Sequence, residues 1–203
     1  MTPGQRFARL AATVSARIPA AMRLFRGPLR SQFDRLAPEW NDRRVSERYL
    51  APLTAALAAV DTSPARIVDV GTGTGAAARL AAARWPDADV HGFDLSPGMV
   101  AEARARAGAR QRYDVADATR LPLPDASADL VVMVNMIPFF DELARIVAPG
   151  GSIAIAYSSG PSTPIWVPLD RVGRELERRG LGDVRTFAAG AGLSLLAVRP
   201  HLS

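Results

Sequence analysis

The stretch from Arg66 to Asp94 constrains this chain most: RIVDV, then GTGTG, then an alanine-rich run, then HGFD. Ile67, Val68 and Val70 form a short, β-branched apolar run without helical period, the pattern of a strand buried on both faces. It stops at glycines 71, 73 and 75, which supply a turn with positive φ and let backbone approach a ligand where a Cβ would stand in the way. Ala76 to Ala83 is rich in strong helix formers, and Pro86 marks a stop just beyond Trp85. Val90 to Phe93 reads as a second strand, ending in Asp94. Strand, glycine turn, helix, strand and acid are the parts of a mononucleotide site. The loop and helix start hold one end of the ligand, and the acid accepts hydrogen bonds from ribose hydroxyls.

GTGTGA also fits the dinucleotide fingerprint, so the glycines alone leave an NAD(P)-dependent oxidoreductase open. Two acids tilt the reading. Asp69 stands two residues before the first glycine, where dinucleotide sites are usually apolar, and a carboxylate there suits a positively charged ligand. Asp117 follows a third strand, Arg110 to Val115, where it can accept from an exocyclic amine such as that of adenine.

DVGTGTG, GFDLSPGMVAEARAR, VADATRLPLPDASADLVV and ELARIVAPGGSIAI occur in this order within about Pro64 to Pro200. They resemble the successive motifs of the class I S-adenosylmethionine-dependent methyltransferases, and within them the small-molecule group similar to the quinone-biosynthesis C-methyltransferases. The resemblance implies an α/β, Rossmann-like, seven-stranded, mostly parallel sheet in the order 3-2-1-4-5-7-6. The last strand is antiparallel, helices cover both faces, and a helical extension or lid over residues 1–62 precedes a cofactor-binding core over 63–203. It implies S-adenosylmethionine as cofactor and S-adenosylhomocysteine as product, contacted by Asp69, Gly71, Thr72, Gly73, Gly75, Asp94, Leu95, Met99, Asp117, Ala118 and Asn135. For the acceptor it points to Phe33, Trp40, Met136, Phe139, Tyr157 and Trp166. The segment from Asn135 to Glu142 is shorter than the family pattern and lacks the histidine often present there, so no general base carries over. Tyr157, Asp141 and Asp117 are arguable bases, none of them assigned, and a cofactor-binding protein that acts through a partner is a further reading.

Composition narrows the chemistry. The 203 residues contain no cysteine and only two well-separated histidines, so thiolate nucleophiles and a metal cluster find no pattern here. Every basic residue is arginine. Residues 1–50 hold ten arginines against four acids, +6, and the remainder fifteen against sixteen, −1. A near-neutral core argues against nucleic acid as partner, since phosphate binding needs a basic surface beside the site. No run approaches the ~20 apolar residues of a membrane span, and Arg6, Arg9 and Arg17 interrupt any signal peptide. A cytoplasmic enzyme with a small, hydrophobic or aromatic substrate is expected, with a homodimer left open.

Along the chain, residues 4–18 read as a basic amphipathic helix that packs, meets anionic lipid or covers the site. A short helix, Ala20 to Phe25, is expected to end at Gly27-Pro28, with a new unit from Ser31 to Trp40 and a helix from Tyr49 to Val60. Ser96 and Pro97 open a helix that Gly108 closes. An apolar strand led by Asp129 ends at Asn135. A helix spans Asp141 to Val147, a strand Ser152 to Tyr157 and a helix Val167 to Arg179, and a hairpin joins Asp183–Ala188 to Leu193–Val198. His91, alone within a strand, lacks the partner a base needs.

Overall fold

A computed structural model describes residues 22–201, with side chains from Gly27 onward. The helix expected over residues 4–18 lies outside the described residues. Seven strands form one sheet: β1 (Arg66–Val70), β2 (Asp89–Asp94), β3 (Gln111–Val115), β4 (Ala128–Val134), β5 (Val147–Tyr157), β6 (Gly182–Ala189) and β7 (Gly192–Val198). Their order is β3-β2-β1-β4-β5-β7-β6, as expected. β1 to β5 run parallel, and β7 pairs antiparallel with both β5 and β6.

The sheet is covered on both faces because its strands alternate. Ile153, Ile155 and Tyr157 of β5 join one core cluster, together with α6 (Phe140–Ile146) and α7 (Leu169–Glu177). Ala154 and Ala156 point to the other, against α3 (Glu47–Ala58), α4 (Ala76–Arg84) and α5 (Pro97–Arg104). In α3, Ser46 caps the start by accepting from the Tyr49 amide, and Leu53, Ala56 and Leu57 are fully buried. Burying each leucine contributes about 1.5–3 kcal/mol, which holds this helix on the sheet despite Pro52 inside it. Among the described residues no helix is long and apolar enough to cross a membrane.

Several boundaries differ from expectation. Helix α1 (Met22–Leu36) runs straight through Gly27-Pro28 instead of ending there. A proline in a helix interior forfeits one hydrogen bond, but Leu29 and Phe33, one turn apart, pack against Ile137 and Phe139 and favour continuation. A 3₁₀ turn, Ala37–Glu39, leads directly into α2 (Trp40–Arg44). α5 ends at Arg104, before Gly108, with Ala105 still in right-handed helical geometry as its cap. β5 begins at Val147 because Pro149-Gly150-Gly151 is absorbed as a bulge between the pairs Ala128–Val147 and Leu130–Ser152. α7 is shorter than expected at both ends.

Candidate functional site

The carboxyl ends of β1, β2, β3 and β4 open onto a cavity of about 600 Å³. At its floor lies the β1–α4 turn. The amides of Gly71 and Thr72 both donate to the Phe93 carbonyl, at 2.8 and 2.9 Å, which ties the turn to the end of β2. Gly71, Gly73 and Gly75 have φ of 72, 54 and 81°. At Gly71 a side chain would meet left-handed strain and also require Met136 to shift, since a Cβ would stand 2.8 Å from its Cγ and Sδ. Gly92, beneath the turn, is equally confined: a Cβ there would lie 2.6 Å from Thr72 Oγ1 and from Tyr113 Cδ1.

Three acids stand at successive strand ends. Asp69 is buried; its Oδ2 accepts from Thr72 Oγ1 at 2.6 Å and from the Ala78 amide at 3.0 Å. Its Oδ1 is buried without a hydrogen-bond partner among the described residues. Burial pushes this carboxyl up to about 7, with the Thr72 and Ala78 bonds pulling the other way. Asp94 is half-buried and bridges two loops, Oδ2 accepting from the Gly73 amide at 2.8 Å and Oδ1 from Ser96 at 2.9 Å. Burial raises its pKa against those backbone bonds. Asp117 Oδ1 accepts from the Thr119 amide and hydroxyl at 2.9 and 2.8 Å.

The opposite wall is apolar and comes from distant segments. Leu29, Ile137 and Phe139 form a small cluster joined by Phe33, Met136 and Ile165. Phe33 meets Trp40 edge-on at 5.8 Å. Asn135 is left-handed, φ 52°, and its amide is clamped to Ser158 by two bonds, Nδ2 to Oγ at 2.8 Å and Oδ1 from the Ser158 amide at 2.9 Å. Three hydrogen bonds seat the covering helices. Asp34 Oδ1 accepts from Ser96 Oγ at 2.5 Å and the Gly98 amide at 3.0 Å, capping α5 from α1, and Asn41 Oδ1 accepts from Thr74 Oγ1 at 2.6 Å. Tyr49, half-buried beside Asn135, is pushed up to about 12 by desolvation.

Of the residues singled out in the sequence, Asp69, Gly71, Thr72, Gly73, Asp94, Leu95, Met99, Asp117, Ala118 and Asn135 line this cavity, as do Phe33, Trp40, Met136 and Phe139. Three do not. Gly75 is the left-handed cap of α4 and faces Tyr113, not the cavity. Tyr157 is fully buried on the other side of its strand, edge-on to Trp166 at 4.9 Å, so both belong to the core. Burial raises the Tyr157 phenol, and Asp141 lies exposed in an ion pair with Arg179, so neither is placed to take a proton. His91 does have a partner, Asp114 Oδ2 at 2.8 Å, but lies outside the cavity. Arg43 and Arg44 also line the cavity, and no local motif marks them.

The cavity fits an adenosyl sulfonium. It has a turn that a Cβ would fill, acids spaced along the sheet edge for ribose and base, and a buried carboxylate oxygen awaiting a cation or donor. A methyltransferase domain family model matches residues 67–151. A malonyl-[acyl-carrier protein] O-methyltransferase of Dechloromonas aromatica is 30% identical over 191 residues, 89% of this chain and 71% of that one. A demethylmenaquinone methyltransferase of Deinococcus radiodurans is 37% identical over 58% of this chain and 53% of its own length. For a trans-aconitate 2-methyltransferase of Methylobacterium nodulans the values are 39%, 56% and 46%, so the chain spans about half the length of these two relatives. Among solved structures, a Haloferax volcanii methyltransferase in complex with the Trm112 activator superposes with a TM-score of 0.70 at 22% identity, covering 83% of this chain and 98% of that one. That likeness concerns the fold. The match along most of the D. aromatica chain carries further, and with it the chain belongs to the class I S-adenosylmethionine-dependent methyltransferases, whose cofactor is S-adenosylmethionine.

Proposed function

We propose that the protein transfers a methyl group from S-adenosylmethionine to a small acceptor with a hydrophobic or aromatic body. One observation carries the reading: the acids at three strand ends and the apolar wall formed by Phe33, Met136, Ile137 and Phe139 line the same cavity. Asp94 would accept from the ribose hydroxyls, Asp117 and Ala118 would meet the adenine edge, and Leu95 and Met99 would flank the base. Gly71 and Gly73 let backbone approach the amino-acid end, and Asp69 supplies negative charge there. When bound, the cofactor supplies a methyl group already activated by a sulfonium leaving group. The protein's residues position the acceptor and exclude water, effects worth roughly 7–11 kcal/mol when the alignment is good.

The names of the relatives span an acyl-carrier-protein ester, a quinone and a tricarboxylic acid, which leaves the acceptor to the cavity's own chemistry. The test is transfer of label from S-adenosyl-[methyl-³H]methionine to a panel of small phenols, quinols, acids and amines, with RNA and protein as comparators. Incorporation into small molecules supports the reading. Incorporation confined to RNA or protein contradicts the acceptor class. No incorporation, with product binding intact, favours a binding protein that acts through a partner.

A further inference from the structure

The acceptor's nucleophile can be narrowed, on the premise that methyl transfer is the reaction. A phenol or alcohol must give up its proton as it attacks, and a base within reach is required. No histidine lines the cavity, and the chain has neither lysine nor cysteine. The acids stand at the strand ends on the cofactor side: Asp69 Oδ2 is bonded to Thr72 and Ala78, Asp94 to Gly73 and Ser96, and Asp117 to Thr119. Asp69 Oδ1, without a partner among the described residues, is buried on that same side, where the cofactor's amino-acid end would lie and not the acceptor. Tyr49, pushed up to about 12, keeps its proton at neutral pH. Among the described residues, the remaining ionisable side chains that line the cavity are the guanidinium groups of Arg43 and Arg44. Arg43 is held at the rim by Glu39 at 2.8 Å. Arg44 lies over the Trp40 ring at 5.3 Å, makes no ion pair among the described residues, and its charge is felt at Tyr49.

The geometry points to an acceptor that arrives ionised: a small carboxylic acid with an apolar body, methylated on its carboxylate oxygen and recognised by Arg44. One carboxylate oxygen forms the bond to the methyl carbon as the carbon–sulfur bond breaks, its electron pair passing to sulfur. The carboxylate loses its negative charge, the sulfonium its positive charge, and no proton moves, so the missing base is no deficit. Attraction between the opposite charges grows when the covering helices exclude water. The guanidinium forms charge-assisted hydrogen bonds to the anion and loses them on the neutral ester, which favours product release. A neutral amine also needs no base at the moment of attack, but it gains nothing from Arg44 and its methylated product is a cation.

The test uses the full chain with labelled methyl donor and three acids, cinnamate, octanoate and phenylacetate, against 4-propylphenol and phenethylamine. Alkali releases volatile labelled methanol from a methyl ester and leaves aryl ethers and methylamines intact. Alkali-labile label from at least one acid is expected. Arg44→Gln should raise KM for that acid roughly 10- to 100-fold, with kcat and S-adenosylhomocysteine affinity within about twofold, and Arg44→Lys should restore part of the loss. Calorimetry of the acid with protein saturated by S-adenosylhomocysteine should show binding to the wild type that Arg44→Gln weakens. Alkali-stable label confined to the phenol or the amine overturns the proposal, as does no label in any of the three acids while S-adenosylhomocysteine still binds. It is also overturned if Arg44→Gln weakens S-adenosylhomocysteine and not the acid, which would assign the guanidinium to the cofactor's own carboxylate. Loss of S-adenosylhomocysteine binding in the wild type would instead defeat the methyltransferase reading beneath it.

Discussion

The proposed cofactor end of the cavity is drawn from three consecutive strand-and-turn units within residues 66–118. The proposed acceptor end is assembled from α1, α2, the 135–139 segment and the loop after β5. The first is built of backbone amides and acids that those amides hold in place, as Gly73 and Ser96 hold Asp94. The second is built of apolar side chains such as Leu29, Phe33 and Phe139, packed against one another. An amide cannot be substituted away, whereas a wall of leucine and phenylalanine can be recut residue by residue. The contrast explains how one scaffold can keep a single cofactor while acceptors vary.

The contrast breaks first if Asp94 is dispensable. Asp94→Ala removes both loop bridges and the proposed ribose acceptor. It should lower S-adenosylhomocysteine affinity about 100-fold or more by calorimetry, since hydrogen bonds to a charged group contribute about 1.5–3 kcal/mol each. Gly71 sits where the two ends touch. Gly71→Ala adds to the left-handed strain a Cβ at 2.8 Å from Met136, and should cost roughly 1–3 kcal/mol more in urea unfolding than Gly180→Ala, which carries the strain alone with nothing within 4 Å. Equal costs would show that Met136 yields freely and that the ends are uncoupled.

Asp69 makes the cofactor end sensitive to pH. Its folded pKa, about 7, lies above the ordinary 3.8, so the stability it contributes is full below pH 4 and is lost as pH rises through 7. A cationic ligand favours the ionised form. Affinity for the ammonium-bearing S-adenosylhomocysteine should therefore rise about tenfold from pH 6 to 8, and Asp69→Asn should flatten the profile. The smallest effect is expected where α1 meets α5. Asp34→Ala removes an end cap and should cost about 1 kcal/mol, a fall in Tm of about 2–4 °C, with cofactor affinity nearly unchanged.

The same division governs what can be read from sequence. The β1 strand, its glycine turn and the acids at 69, 94 and 117 are legible because local rules dictate them: a turn at φ of 54–81° selects glycine, and strand ends in this topology face the ligand. Even there Gly75 misleads, since its left-handed geometry serves the start of α4 and not the ligand. The acceptor end depends on contacts that span the chain. Asp34 reaches Ser96 across 62 residues and Asn41 reaches Thr74 across 33, and neither pair carries a local signature. Pro28 suggests a helix end that tertiary packing of Leu29 and Phe33 overrides. Tyr157 shows the sensitivity of a strand to its period of two: one position from Ala156, it points into the opposite core.

The central claim is that an adenosyl ligand lies across the carboxyl edge of the sheet, held by the β1–α4 turn and the acid of β2. Calorimetric titration of the wild-type chain with S-adenosylhomocysteine and, separately, with NAD tests it most directly. The expected result is saturable binding of one S-adenosylhomocysteine per chain, none of NAD, and a large loss of the first in Asp94→Ala. Saturable binding of NAD without S-adenosylhomocysteine, or S-adenosylhomocysteine binding that Asp94→Ala leaves untouched, would contradict it.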